Sequence, residues 1–404
     1  MGSRSCDNCF VSNACRIQIV RQTGVTSTFN VITLANCLRD AGHAVDVVCV
    51  EPVTESVAGL REGITVTGLG AGKARGLRNL KCRLDGARRL RRYLQRRPFD
   101  VLYVVDSWTL PTFWLATLGS LRWPGAKLVY HTFDWLEPGL VAEAHRRLER
   151  KVCHRADLVV NTDRARSRMQ QTLYQLETTP LWVQNCLSTA IPIPTPNASM
   201  RQELAGAADT SQLRLIIYPT VVSNAESAQR MTWELIQGFR RLPESYRLVL
   251  FYRKGVEYRR CRTACVEAGI SNRVRFLEPV PFFRLLDYVA SADIGAIFYD
   301  DSESSGYFMC NADKLSLLAA CGIPFVASDQ PNLESVTYRH GLGKCCDPRD
   351  AVALADAFRA VVEGVTPLAE WKRQARKAFL EHLNFEVHGR RLVAALDQLG
   401  HAAS

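Results

Sequence analysis

Ser302, Ser304, Ser305 and Gly306 lie between an apolar run at residues 294–298 and a helix-like run that begins near Lys314. A turn placed between a strand and a helix can offer backbone amides and hydroxyls to phosphate oxygens. Lys314 adds a formal charge that can neutralise a departing diphosphate without a metal. Tyr218, Thr220 and Ser223 end an earlier apolar run at the same edge, and Arg253 and Lys254 follow the next run. In the first half of the chain, Asp106 directly follows a wholly apolar run at residues 101–105. A carboxylate there must face a cleft or find a partner. Asp106 can therefore bind an acceptor or cap the helix that begins near Trp108. Trp108 and Trp135 suit stacking on a sugar or lining a channel, and core packing serves each equally well.

These residues need elements to hold them. The chain alternates short β-branched runs with helical stretches, the pattern of a parallel sheet with crossover helices. Strands are expected at residues 16–20, 45–50, 100–105, 127–130, 158–161 and 181–183. The alternation restarts with strands at 213–218, 246–251, 274–277, 294–298 and 324–327. Between them IPIPTPNAS, residues 191–199, reads as linker. The expected organisation is a first domain over 1–190, a linker over 191–212, a second domain over 213–385, and a C-terminal helix over 386–404 able to pack back on the first domain. Ligands of such sheets bind at the carboxyl ends of the strands, so two facing domains put the working residues along one interdomain cleft.

With 404 residues, 47% hydrophobic and 23% charged, the chain has an ordinary globular composition and more length than one core usually organises. The most apolar window, residues 101–121, is broken by Asp106 and Pro111 and reads as strand, turn and helix, not as a bilayer span. No apolar leader opens the sequence, and the expectation is a cytoplasmic protein. Fourteen cysteines then read as reduced thiols. Cys6, Cys9 and Cys15 have a spacing able to grip a metal, but no fourth ligand stands near them, and no metal site is expected.

The formal charge of +11 is concentrated. Between Lys73 and Arg97 stand eleven basic residues and a single acid, Asp85. Leu77, Leu80, Leu84, Ala87, Leu90 and Leu94 recur there at helical spacing, which makes a basic amphipathic helix. It can dock on an anionic membrane surface or a lipid-diphosphate acceptor, or its leucine stripe can simply face the core. Nucleic acid is not expected as a partner, because Tyr93 is the one aromatic between Lys73 and Arg97 and no recognition motif accompanies the patch.

NADKLSLLAACGIPFVASDQPNLESV followed by GLGKCCDPRDAVALADAF resembles the donor-binding domain of GT-B glycosyltransferases, including its K-L element, here Lys314 and Leu315. FDVLYVVDSWTLP, AKLVYHTFDW, RADLVVNT and VQNCL fall where those enzymes have acceptor-domain strands and loops. The resemblance implies an α/β protein with two Rossmann-like, doubly wound domains facing each other across a cleft, and a nucleotide-sugar substrate without a separate cofactor. Many retaining members carry two glutamates eight positions apart, and Met309 and Leu317 occupy those positions here. AKLVYHTFD is similar to a segment of xanthan-type glucuronosyltransferases, a similarity that implies Asp134 as catalytic base and a uridine diphosphate sugar as donor. His131, on the same strand, can be the base, orient Asp134, or be structural.

The leading expectation is transfer of a sugar to a saccharide or lipid-linked acceptor in polysaccharide or glycoconjugate biosynthesis, at or near the inner face of the plasma membrane. Two alternatives stand beside it. One is a catalytically silent GT-B scaffold, favoured by Met309 and Leu317. The other is a sugar-nucleotide epimerase, which has no use for the basic helix.

Overall fold

The structure, a computed structural model, describes residues 14–24, 29–53, 57–72, 80–133, 141–222, 230–300 and 313–401. Asp134, Trp135, Ser223, Ser304, Ser305, Gly306 and Met309 lie outside the described residues, as do Cys6 and Cys9.

The first domain runs β1 (Arg16–Arg21), α1 (Phe29–Asp40), β2 (Ala44–Cys49), β3 (Thr65–Gly68), α2 (Leu80–Gln95), β4 (Val101–Val105), α3 (Leu110–Ala116), β5 (Lys127–Thr132), α4 (Glu143–Arg155), β6 (Leu158–Asn161), α5 (Arg164–Tyr174) and β7 (Leu181–Trp182). Its strands form one parallel sheet in the order β3-β2-β1-β4-β5-β6-β7. β4 is buried along its whole length. An all-parallel sheet covered on both faces requires such an unbroken apolar run. On one face Val48, Leu102 and Tyr130 pack against Leu90 of α2, Phe113 of α3 and Val152 of α4. On the other, Val47, Tyr103 and Val129 pack against Leu34 and Leu38 of α1.

The leucine stripe of α2 is divided between core and surface, with Leu77 outside the described residues. Ala87, Leu90 and Leu94 are buried in the core, while Leu80 and Leu84 are exposed. Gly86 lets the helix approach the sheet, because a Cβ there would stand 2.8 Å from a methyl of Val50.

After residue 182 come α6 (Ala198–Ala205), β8 (Arg214–Val222), α7 (Thr232–Phe239), β9 (Tyr246–Tyr252), α8 (Val256–Glu267), β10 (Val274–Leu277), α9 (Phe282–Ala290), β11 (Ile294–Ile297), α10 (Asp313–Ala320), β12 (Phe325–Ser328), α11 (Pro331–His340), β13 (Gly343–Cys346), α12 (Ala351–Val362), α13 (Leu368–Glu381) and α14 (Phe385–His401). The second sheet is also parallel, in the order β10-β9-β8-β11-β12-β13. The stretch expected to be linker contains a helix, α6. Asn197 caps it by accepting from the Ser199 and Met200 amides, and Leu204 and Ala205 bury its inner face.

The chain crosses between domains twice. The Ser316 hydroxyl accepts from the Leu187 amide at 2.9 Å and donates to the Leu383 carbonyl at 2.9 Å, while the Phe385 amide bonds the Leu187 carbonyl. One hydroxyl thus ties both crossings to α10. α14 then lies on the first domain, with Leu392 and Leu396 in the core beside Leu38 and with Gly389 close to Cys37.

Candidate active site

Strand order reverses between β1 and β4 in one sheet and between β8 and β11 in the other. In open α/β sheets the crevice beyond the carboxyl ends at such a reversal is where ligands bind. In the first domain, Asp106 sits at that point. Its backbone, with φ 65° and ψ 145°, is a conformation a side chain rarely adopts and costs about 1–3 kcal/mol. Its carboxylate accepts from the Phe133 amide at 3.1 Å and stands 3.5 Å from the guanidinium of Arg21, which ends β1. No capping bond from its side chain to the following helical turn forms. Asp106 therefore joins the ends of β1, β4 and β5. With the Thr162 hydroxyl donating to the Phe133 carbonyl at 3.3 Å, the chain is pinned on both sides one residue before Asp134.

His131 is completely buried, and its Nδ1 is 2.8 Å from the Tyr103 hydroxyl. Burial lowers its pKa to about 3, so the ring is neutral at any physiological pH. Its ring meets Phe133 edge-on at 4.5 Å. The expectation that His131 serves as the base is corrected: shielded from solvent and bonded to Tyr103, it props the strand end from beneath. Trp108 is half exposed and lies 5.3 Å from the ring of His145.

On the facing domain, Lys314 lies in the first turn of α10, 2.7 Å from Asp313. Burial alone would lower its pKa, but Asp313 and Tyr299 raise it beyond that loss, so Lys314 holds its proton. The arginine that accompanies it is Arg230, which the sequence reading missed. Its guanidinium lies 4.7 Å over the Tyr299 ring and acts electrostatically on both Lys314 and Asp313. Tyr218 is buried, and its hydroxyl donates to the Arg230 carbonyl at 2.6 Å and the Phe298 carbonyl at 3.2 Å. The expectation that Tyr218 binds donor directly is corrected, because that hydroxyl is committed to placing Arg230. Leu315 is also corrected: its side chain is wholly buried and contributes packing. Leu317 joins the same core, which leaves its position without a ribose acceptor. Thr220 is buried on β8. Arg253 and Lys254 follow β9 at the surface, and Lys254 stands 3.9 Å from Glu278.

The two halves meet across the crevice. Asp163 caps α5 by accepting from the Ala165 and Arg166 amides, and its other oxygen accepts from Asn332 of α11 at 2.5 Å. The Phe29 and Phe282 rings meet at 5.3 Å. Such spacing, 169 residues apart for the polar pair, left no local signal in the sequence. Among the described residues no group of three or more His, Cys, Asp or Glu converges on one point. A large open cavity lined by Arg91, Asp100, Arg122, Trp123 and Lys127 lies at the amino ends of β4 and β5, away from this edge.

Residues 30–173 match the family described as glycosyl transferase 4-like domain. No curated protein matches the chain by sequence. Among solved structures, the chain is similar to sucrose-phosphate synthase from Thermosynechococcus elongatus, at 17% identity with a TM-score of 0.74 over 96% of this chain and 100% of that one. It is similar to HepE from Anabaena solved with UDP and glucose, at 17% identity with a TM-score of 0.72 over 95% and 100%. It is also similar to WaaG, a glycosyltransferase involved in lipopolysaccharide biosynthesis, at 13% identity with a TM-score of 0.65 over 93% and 98%. The chain has the GT-B glycosyltransferase fold, and within it residues 30–173 match the glycosyl transferase 4-like domain.

Proposed function

We propose that the protein transfers a sugar from a uridine diphosphate donor to a hydroxyl of a saccharide or lipid-linked acceptor in polysaccharide or glycoconjugate assembly. The observation that carries this reading is the protonated Lys314 beside Arg230, at the carboxyl edge that faces the pinned end of β5. Two preorganised cations stabilise negative charge on a departing diphosphate more than on the bound donor, the requirement for accelerating the bond-breaking step. Asp134, one residue past the pinned Phe133, takes the acceptor proton as its oxygen attacks the anomeric carbon in line with the leaving group. No metal is required, and the configuration inverts. Ser304, Ser305 and Gly306 add phosphate contacts, Ser223 and Thr220 flank the donor, and Trp135 lines the acceptor side with Trp108. HepE, solved with UDP-glucose, supports the uridine donor. Starch synthase IV from Arabidopsis thaliana, solved bound to ADP and acarbose, shares the fold at 11% identity and makes adenosine donors the comparison to run. The protein acts at the cytoplasmic face of a membrane, with the basic surface of α2 toward anionic lipid.

A second reading, a silent GT-B scaffold, is favoured by Leu317, which is in the core where a ribose-binding carboxylate is absent. Incubation with uridine and adenosine diphosphate sugars, followed by NMR of the product's anomeric proton, separates the two. An inverted product made by the wild type and not by Asp134→Asn is expected. A retained product would remove the in-line mechanism, and no turnover of any donor would favour the scaffold.

A further inference from the structure

α2, α3 and α4 lie side by side on one face of the first sheet, all running from the carboxyl edge to the amino edge of their strands. The middle helix presents apolar groups to solvent. Trp114 is 42% exposed and Leu118, one helical turn on, is 75% exposed. Leu118 and Leu121 both hold left-handed backbone, with φ 52° and 57°. The Thr117 hydroxyl donates to the Phe113 carbonyl and accepts from the Leu121 amide, and the Ser120 hydroxyl bonds the Thr117 carbonyl. This locked turn sends Leu121 inward to the core and leaves Leu118 outward, where it packs against nothing that buries it.

Cations flank the ridge on both sides. α4 supplies Arg150, Lys151 and Arg155, which with the turn at 119–121 line an open cavity of about 730 Å³. α2 supplies exposed Arg88 and Arg92. The acids nearby are already engaged: Asp85 with Arg89, Glu143 with Arg146 and Arg147, Asp157 with Arg122 and Lys127. Toward the cleft, Trp108, Leu80 and Leu84 continue the exposed apolar surface. A nucleic acid would answer the charge but has no use for a protruding leucine. An apolar ridge between two cationic limbs is the surface of a protein lying in a lipid headgroup layer.

We propose that this three-helix face docks on an anionic bilayer, with Trp114 and Leu118 entering the acyl boundary and the α4 cations holding lipid phosphates. This extends the membrane contact proposed for α2 and rests on the glycosyl-transfer reading for its consequence. The docked face ends at the catalytic edge, so the cleft opens beside the membrane and the acceptor is a lipid-anchored glycan in preference to a free saccharide.

The test is co-sedimentation of the full chain with phosphatidylcholine vesicles, with and without phosphatidylglycerol, at low salt. The wild type is expected to bind the anionic vesicles at least about tenfold more tightly. Arg150→Glu with Lys151→Glu, and separately Trp114→Ser with Leu118→Asn, are each expected to weaken binding about tenfold or more. Lys377→Glu, exposed on the second domain, is expected to change nothing. Equal or no binding to both vesicle types overturns the proposal, as does wild-type binding by either double variant. Stabilisation by uridine diphosphate, measured on the same samples, stays intact if only the docking fails, and its absence in the wild type would instead be a failure of the glycosyl-transfer reading.

Discussion

Lys314 and Arg230 are the residues proposed to carry the reaction, two cations set near Tyr299 where a diphosphate would leave. Replacing either with alanine is expected to lower kcat/KM for the donor by roughly 10²–10³-fold, the usual loss for one preorganised donor of charge stabilisation. Steady-state kinetics with the sugar donor would show it, and a change under threefold would contradict the assignment. Asp106 acts differently, through Phe133 and Arg21. Asp106→Ala removes an acceptor from a partly buried amide and leaves a buried guanidinium without its carboxylate, so a loss of about 1–3 kcal/mol is expected in urea unfolding. Asp106→Gly is expected to lose less, since glycine is at ease at φ 65°.

At the scale of the element, α4 carries arginines outside and an acid inside. Glu149 is fully buried between the Tyr130 hydroxyl at 2.6 Å and the Tyr174 hydroxyl at 2.7 Å. Burial raises its pKa from about 4.5 to about 7, which the two hydroxyl donors only partly offset. The folded state thus holds a proton that the unfolded chain has released. This contribution is complete below about pH 4.5 and is lost as pH rises to about 7, by roughly 1 kcal/mol per pH unit. His131 and His388, whose pKa values are lowered by burial to about 3 and about 4, act in the opposite direction, losing stability as pH falls below their unfolded range. The signature of Glu149 is therefore the difference between wild type and Glu149→Gln. Stability measured across pH 4.5–7 should rise toward low pH in the wild type relative to the variant, and parallel curves would refute it. Legibility in the sequence follows the same physics. β4 was readable because a strand buried on both faces leaves an unbroken apolar run, and the helix bearing Lys314 was readable inside a motif. β3, four half-exposed residues, has no such pattern, and α6 was hidden behind three prolines although Asn197 was in place to cap it. Arg230 precedes its helix without a motif, and the Asp163–Asn332 contact exists only after folding.

At the scale of the molecule, two parallel sheets meet through Asp163 and Asn332, and Ser316 ties both crossing segments to the helix that bears Lys314. Lys314 and the interdomain joint are thus parts of one helix. Nucleotide binding at Lys314 should therefore be felt by the whole fold. The most direct measurement is thermal unfolding of the wild type and Lys314→Ala with uridine, guanosine and adenosine diphosphates. A ligand at about a hundredfold excess over its dissociation constant adds about 2.7 kcal/mol to the folded state. A raised melting temperature is expected with uridine diphosphate and is expected to be lost in Lys314→Ala. A wild type that responds to none of the three, or a variant that responds as the wild type does, would contradict it.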